Sequence, residues 1–270
     1  MRGSPAFSSP APVVVKLGGR ALEAPGSARE LAAEVAGLPG PAVLVHGGGA
    51  EVTRWCERLG LRPRFLDGLR VTDEATLEVA AAVLAGLANK RLTAALRAAG
   101  VNAVGLAALD GGAVSATAHP DADRLGEVGA VREAGAALLA TLLAAGYVPV
   151  LSSIGAEGAR LLNLNADDLA AALAAALGAS DLVLLSDAPG VVLGGALLPR
   201  LTGDDVEALL AHPDVRDGMR PKLRAAGRTL DGGVGRVHIA AWQGPGTLLR
   251  LLTTEAASTT LFPASAAGRD

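Results

Sequence analysis

The sequence predicts an α/β protein whose mostly parallel β-sheet is covered by helices on both faces. Short apolar runs rich in β-branched residues alternate with segments rich in alanine and leucine along most of the 270 residues. Hydrophobic residues make up 50% of the chain and charged residues 19%, a balance that favours a large core and excludes disorder. The length fits one large domain or two closely joined lobes.

The individual elements follow in order from the same patterns. Runs typical of strands lie at 12–16, 42–46, 103–107, 148–152, 181–185 and 237–240. Segments typical of helices lie at 27–38, 51–59, 73–99 with a break near Asn89, 131–145, 166–177, 221–230 and 247–252. Gly146 and Gly178 follow two of these segments, as expected at helix ends. The motif SSIGAEGAR interrupts the pattern and predicts a lobe boundary near residue 155.

Charge and cysteine content exclude several classes of protein. A net charge of -3 and a pI near 5.8 argue against a nucleic-acid partner or a polybasic membrane surface. The single cysteine, Cys56, excludes an intrachain disulfide and a cysteine-cluster metal site, and it favours a reducing cytosol. The uncharged stretch 134–156 is interrupted by Gly146 and Pro149, so we interpret it as a buried helix, a turn and a strand. Residues 1–12 lack an apolar signal core and are expected to form a loose tail.

Two glycine-rich strand ends carry the first chemical signal. Only three of the 24 basic residues (Lys and Arg) are lysines, and Lys16 lies in VVVKLGG, separated by one residue from Gly18 and Gly19. The motif VHGGG places Gly48 and Gly49 after the next strand. Backbone N–H groups in such loops can hold phosphate or carboxylate oxygens, although each loop alone could be a tight turn. Neither loop matches a Walker or a Rossmann motif.

Further candidates lie in three loops that precede helices. Arg70, in DGLRVTD, suits a bidentate carboxylate contact or a solvated surface, and Thr72 or Asp73 would cap the helix that follows. In NLNADD, Asn163 and Asp167 are more polar than helix capping requires, whereas the neighbouring Asp168 fits capping. Lys222 lies in the first turn of a helix after DGMRP, and Asp187 opens the turn DAPG after a strand.

The histidines predict no catalytic cluster. His46, His119, His212 and His238 are scattered, and no zinc or serine-hydrolase motif is present. We expect His46 to be a hydrogen-bonded strand-end residue rather than a base.

Eight segments in register make the chain resemble the amino-acid kinase family. They are VKLGG, VHGGG, DGLRVTD, GLANK, GYVPVLSSIG, LNLNADDLAAALA, LLSDAPGV and DGMRPK, and they run from about residue 13 to residue 241. The resemblance implies a three-layer αβα sandwich of the carbamate kinase-like type with an open, mainly parallel sheet. It implies that lobe 13–155 binds an acylated amino acid and mediates dimerisation, and that lobe 156–270 binds ATP.

Residue roles follow from the same resemblance. Lys16 and Lys222 are similar to the two transition-state lysines, and Asp167 to the carboxylate that orients both. The acceptor site would use Gly48, Gly49, Arg70 and Asn163. The ATP contacts would be Gly18, Gly19, Asp187, Ala188, Pro189, Gly190, Val191, Val192, Asp214, Val215 and Arg216. No metal ligand is implied, because Mg²⁺ would be held mainly by the nucleotide phosphates. Lys90 is expected to be structural.

The implied activity is ATP-dependent phosphorylation of the side-chain carboxylate of N-acetyl-L-glutamate, in arginine biosynthesis. Two alternatives remain: a sibling kinase acting on an N-acylated 2-aminoadipate in lysine biosynthesis, and a non-catalytic ligand sensor. A cytoplasmic homodimer is expected, with no nucleic-acid, membrane or PII-type partner. The proline-rich segment before Val13 is not expected to form the helix that links dimers in arginine-inhibited hexameric members.

Overall fold

A computed structural model describes residues 10–18, 26–216, 218–253 and 257–264. Within them, eight strands form the central sheet: β1 (Val13–Leu17), β2 (Ala42–His46), β5 (Ala103–Ala107), β8 (Val148–Ser152), β11 (Asp181–Ser186), β14 (Arg200–Thr202), β15 (Arg236–Ala241) and β16 (Thr259–Phe262). Their order is β14-β16-β15-β11-β1-β2-β8-β5. Only β15 and β16 pair antiparallel, so the predicted mostly parallel sheet is confirmed.

In the described part of the chain, eight further strands lie outside this sheet. They are β3 (Arg64–Leu66), β4 (Leu69–Val71), β6 (Val114–Ala118), β7 (Val128–Ala134), β9 (Ile154–Glu157), β10 (Arg160–Leu164), β12 (Val192–Leu193) and β13 (Ala196–Leu197). Strands β6-β7-β10-β9 form a four-stranded sheet, and β3-β4 and β12-β13 form two hairpins. The proposed lobe boundary near residue 155 falls inside β9.

Helices cover both faces of the central sheet. The helices of the described residues, including those that lie outside these two layers, are α1 (Ser27–Ala36), α2 (Gly49–Arg58), α3 (Glu74–Ala81), α4 (Asn89–Ala98), α5 (Ala122–Leu125), α6 (Ala137–Ala144), α7 (Ala166–Leu177), α8 (Asp205–Ala211), α9 (Met219–Asp231) and α10 (Thr247–Thr253). A π-helical segment, Ala82–Ala88, joins α3 to α4 without a break. As predicted, Asp73 caps α3, and its side chain accepts from the Thr76 N–H at 2.9 Å.

The two-residue period of the strands distributes their side chains between two core layers. Val14 packs with the apolar faces of α7 and α9, whereas its neighbour Val15 packs with α1, α4 and α10. Because both faces are covered, the central strands are apolar at nearly every position, as parallel strands usually are. The result is an αβα sandwich with the carboxyl ends of β1, β2 and β11 at one edge.

One helix begins later than predicted, and another continues where a break was predicted. Residues 131–134 belong to β7, and the helix predicted for 131–145 begins only at Ala137, because the alanine- and leucine-rich pattern does not mark where a strand ends. Near Asn89 the helix continues through the π-helical segment instead of breaking. The uncharged stretch 134–156 contains parts of several elements, as predicted. In the described residues, only the helix spanning 74–98 has the length and apolarity to cross a membrane, and buried core helices can meet the same two criteria.

Candidate functional site

Two clefts open at the carboxyl edge of the central sheet and share Lys16 and Gly18. The Arg70 cleft, of about 270 Å³, is lined by Lys16, Gly18, Gly47, Gly48, Gly49, Val52, Phe65, Gly68, Leu69, Arg70, Ala80, Leu84, Val128, Ser153, Asn163, Leu164, Asn165 and Ala166. The Lys222 cleft, of about 400 Å³, is lined by Lys16, Gly18, Ser186, Asp187, Ala188, Arg216, Gly218, Met219 and Lys222. Ligands of open parallel sheets bind at this edge.

A buried carboxylate joins two lysines at the boundary of the clefts. Asp167 Oδ1 lies 2.8 Å from Lys16 Nζ, and Asp167 Oδ2 lies 3.3 Å from Lys222 Nζ. The lysines come from β1 and α9, which approach the first turn of α7 from different sides. Burial raises the pKa of Asp167, but the two ammonium groups outweigh it and hold the pKa below its usual range. Asp167 is therefore ionised at neutral pH and fixes both lysines.

The local sequence explains why Asp167 is held rigidly. The side chain of Asn165 caps α7 and accepts hydrogen bonds from the N–H groups of Asp167 and Asp168 at 2.8 and 3.1 Å. The carboxylate of Asp168 points elsewhere and forms an ion pair with Arg228 of α9. Asn165 lies within the motif NLNADD, but the sequence analysis predicts no role for it. Its position directly before the helix is the sequence feature that could have predicted this capping role.

Glycine is required where the main chain approaches the lysines. A Cβ at Gly18 would lie 2.6 Å from Lys16 Nζ and 3.0 Å from the Leu185 carbonyl oxygen. Gly48 has a φ of +155°, and a Cβ there would lie 2.8 Å from Leu84 Cδ2. The glycines therefore let a ligand meet bare backbone. Gly19, the other glycine predicted beside Lys16, lies outside the described residues.

Arg70 lies between protein acceptors and the cleft. Its Nη2 donates to the carbonyl of Gly49 and to Thr53 Oγ1, both at 2.7 Å, and its guanidinium lies 4.7 Å from the ring centre of Phe65. Within the described part of the chain, Nη1 is buried without a hydrogen-bond partner. Leaving such a group unpaired is costly, so the site is suited to an incoming carboxylate.

Asn163 lines the same cleft as Arg70. Its Nδ2 donates to Thr72 Oγ1 at 3.1 Å, so the amide is held from one side. The cleft is also lined by the apolar side chains of Leu69, Leu84 and Val128. None of the three was predicted to line a site, although Leu69 lies within the motif DGLRVTD, because apolar lining residues have no sequence signature of their own.

Some of the residues predicted to contact the nucleotide line the Lys222 cleft, and others lie outside its lining. Gly18, Asp187, Ala188 and Arg216 line the Lys222 cleft. The others are distributed nearby: Pro189 and Gly190 in the turn after β11, Val191 and Val215 in the core, Val192 in β12, and Asp214 accepting from the Gly194 N–H at 3.0 Å. Their contacts with a nucleotide stay predictions.

The donor set suits anions rather than a protein-bound metal. Among the described residues, no group of three histidine, cysteine, aspartate or glutamate side chains could hold a metal ion. Asp167, the carboxylate at the junction, is already occupied by two lysines.

Comparison with curated proteins finds relatives of similar length. The chain is 40% identical over 258 residues to the acetylglutamate kinase of Symbiobacterium thermophilum, covering 90% of this chain and 88% of that protein. It is 43% identical over 251 residues to the acetylglutamate kinase of Methanopyrus kandleri, covering 88% and 99%.

Solved structures share the fold. N-acetylglutamate synthase from Neisseria gonorrhoeae, complexed with coenzyme A and N-acetyl-glutamate, superposes with a TM-score of 0.83 at 29% identity, covering 94% of this chain and 60% of that one. Carbamate kinase from Giardia lamblia superposes with a TM-score of 0.70 at 15% identity, over 96% of this chain and all of that one, which supports the fold alone. The sequence model of the amino acid kinase family matches residues 11–241, and the chain therefore belongs to that family.

Proposed function

We propose that the protein transfers the γ-phosphoryl group of ATP to the side-chain carboxylate of N-acetyl-L-glutamate, in arginine biosynthesis. The observation that carries the proposal is the buried Asp167, which holds Lys16 and Lys222 where the two clefts meet. An acceptor in the Arg70 cleft and a nucleotide in the Lys222 cleft would face each other across this ion-pair cluster. The relatives named acetylglutamate kinase support the identity of the acceptor.

The chemistry of the acceptor explains why the proposed mechanism needs no general base. A glutamate side chain has a reference pKa of about 4.3 and is already an anion at neutral pH. The obstacle is the repulsion between this anion and the phosphoryl group. Catalysis then depends on positioning and on stabilising charge at the transferred group.

The described residues supply this positive charge from two sides. Lys16 and Lys222 are compact point charges with three donors each, which an arginine fork does not reproduce. Backbone N–H groups at Gly18 and Gly48 add neutral donors. Asp167 orients the lysines and moves no proton. Mg²⁺ bound to the ATP phosphates would neutralise part of their charge.

Arg70 would bind the α-carboxylate of the acceptor through its unpaired Nη1. We expect Arg70→Ala to raise the KM for acetylglutamate by about 10- to 100-fold with a smaller change in kcat, because the contact exists in ground and transition states alike. Steady-state kinetics measure both constants. Arg54→Ala, which removes an exposed arginine from the neighbouring α2, is the matched control. An unchanged KM in Arg70→Ala would remove Arg70 from the site.

The identity of the acceptor is tested by a coupled assay of ADP release. The assay compares N-acetyl-L-glutamate, free glutamate and N-acetyl-2-aminoadipate with Mg²⁺ and ATP. Turnover only with the aminoadipate would move the enzyme to lysine biosynthesis, since one methylene changes the binding energy by about 1–3 kcal/mol. ATP binding without turnover on any acceptor would favour a ligand sensor on the same fold.

The proposal includes a cytoplasmic homodimer without a PII-type, nucleic-acid or membrane partner. It rests on the family resemblance, the acidic pI and the single cysteine. Light scattering of the purified protein, with and without arginine, tests the oligomeric state. A hexamer would refute this part of the proposal.

A further inference from the structure

A buried polar network lies directly behind the VHGGG loop. His46, the last residue of β2, is fully buried, and so is Asn89, the first residue of α4. His46 Nδ1 lies 2.9 Å from the Gly47 carbonyl oxygen, and its Nε2 lies 3.0 Å from Asn89 Nδ2. The proposed mechanism uses neither side chain, although Gly47 and Gly48 line the Arg70 cleft.

The partners fix the orientation of every group in this network. Asn89 Oδ1 accepts from Lys90 Nζ at 3.2 Å, and Asn89 Nδ2 donates to the carbonyl of Val150 at 2.9 Å. The amide nitrogen therefore faces the histidine, and His46 Nε2 is the acceptor. Since the Gly47 carbonyl can only accept, His46 carries its hydrogen on Nδ1 and donates it to this oxygen.

The protonation state agrees with this assignment. Burial lowers the pKa of His46 to about 4, the hydrogen bond to Gly47 opposes the shift, and the charge of Lys90 adds to it. His46 is thus a neutral imidazole at physiological pH. It serves as a fixed hydrogen-bond donor and does not serve as a base.

The direction of the Gly47 carbonyl determines the direction of the next N–H group. The peptide bonds of the described residues are trans, so the Gly47 carbonyl and the Gly48 N–H point in opposite directions. The hydrogen bond holds the carbonyl against the buried His46 ring. The Gly48 N–H therefore points away from the ring, and no acceptor for it is found in the part of the chain that the structure describes.

The π-helical segment brings Asn89 to this place. It widens the helix just before α4, and such segments often occur at functional sites. The two hydrogens of Asn89 Nδ2 face His46 Nε2 and the Val150 carbonyl of β8, which are its two shortest contacts, and the Leu106 carbonyl of β5 lies farther away at 3.2 Å. His46 is consequently supported by an amide that the central sheet itself holds in place.

We propose that His46 and Asn89 are positioning residues that aim the backbone N–H of Gly48 at the phosphoryl group during transfer. The inference rests on the proposed function, and it adds residues that contact neither substrate. Their effect is exerted through the Gly47–Gly48 peptide. Misaligning this donor should weaken binding of the transition state more than binding of either substrate.

The kinetic test compares two substitutions of one histidine. We expect His46→Leu to lower kcat about 10- to 100-fold with both KM values changed less than about threefold, because the misdirected donor acts mainly in the transition state. His46→Asn can present an amide N–H near the position of Nδ1, and we expect it to retain kcat within about fivefold of wild type. His238→Leu is the matched control, since His238 is also a buried strand histidine but bonds Asp181 and Thr260. It should lower Tm and leave kcat within about twofold.

A second measurement keeps the inference testable if the leucine variant does not fold. Histidine ¹⁵N NMR of the wild-type protein should show His46 with a protonated Nδ1 and an unprotonated Nε2, without titration between about pH 5.5 and pH 9. A protonated Nε2 would overturn the inference, and so would an unchanged kcat in folded His46→Leu. Absence of wild-type turnover on acetylglutamate would instead refute the proposed function, which makes the two failures distinguishable.

Discussion

Two buried aspartates at opposite edges of the central sheet have similar chemistry and different surroundings. Asp167, at the carboxyl edge, is paired with Lys16 and Lys222, and Asp181, at the amino end of β11, is paired with Arg236 and His238. Both carboxylates are about 95% or more buried. At each one, burial raises the pKa, but the bonded partners outweigh it and hold the pKa below its usual range.

The difference lies in whether the cationic partners still have hydrogen-bond donors that face a cavity. Around Asp181, His238 Nδ1 is bonded to Thr260 Oγ1, and Arg236 Nη2 reaches the carbonyl of Leu252 at 3.4 Å. Around Asp167, the two lysines line open clefts and have three donors each. A buried ion pair is therefore a candidate site only where its cations keep unused donors toward a cavity. Asp181 joins strands, whereas Asp167 presents charge to a ligand.

The largest expected effect is the loss of a lysine point charge. Lys16→Arg or Lys222→Arg should lower kcat at least about 100-fold with much smaller changes in KM, because the charge acts mainly in the transition state and the planar fork does not fit. Steady-state kinetics with acetylglutamate and ATP measure it. Arg236→Lys is the control at the other aspartate and should keep kcat near wild type. Near wild-type kcat in either Lys16→Arg or Lys222→Arg would contradict their assignment.

Removing each carboxylate should separate activity from stability. Asp167→Asn should lower kcat about 100-fold while shifting Tm little, because its lysines can turn toward water in the clefts. Asp181→Asn should leave kcat near wild type and destabilise the fold by about 1.5–3 kcal/mol, because His238 and Arg236 lose a charged hydrogen-bond partner. Urea unfolding measures the stability of both variants, and steady-state kinetics measure their kcat. If both variants lost activity and stability together, the distinction between the two aspartates would be wrong.

A falling pH should lower the free energy of unfolding in two separate pH ranges. His46 has a lowered pKa, so the unfolded chain binds its proton first and stability falls as the pH drops from about 6.5 toward about 4. Asp167 and Asp181 also have lowered pKa values, so their stabilisation is present above about pH 4 and is lost as the pH falls through the folded-state values.

Urea midpoints measured at pH 8, 5 and 3 would record both losses. Asp181→Asn should reduce the pH dependence of the urea midpoint only in the lower pH range. His46→Asn should reduce it only in the upper range. A wild-type midpoint that stays constant between pH 8 and pH 5 would contradict the burial of a neutral His46.

The smallest expected effect concerns an exposed ion pair next to Asp167. The Arg228 side chain, which pairs with Asp168 between α9 and α7, is 57% exposed. Solvent and salt screen such pairs, so Arg228→Ala should cost less than about 1 kcal/mol and leave kcat within about twofold. Thermal unfolding at low and high salt measures it. A loss as large as that in Asp181→Asn would show that the α7–α9 contact depends on this pair.

The comparison also shows how far sequence reasoning extends. Lys16, Asp167 and Lys222 were predicted from three separate motifs, and the structure brings them together at one point. Asp181 was predicted only as the start of a strand, since no motif surrounds it. The start predicted for the helix at 131–145 was wrong because an alanine-rich strand end and a helix start look alike in sequence. The small sheet and the β3-β4 hairpin were not predicted.

The sequence by itself determined the alternation of strands and helices, the glycine-rich strand ends and the identities of the charged residues. These are local properties, set by side-chain periodicity and by the backbone freedom of glycine. Only the tertiary structure decided which charges meet, which donors stay unused and that His46 supports the Gly48 peptide. Those relations depend on contacts such as that between His46 and Asn89, 43 residues apart, and no local pattern encodes such a distance.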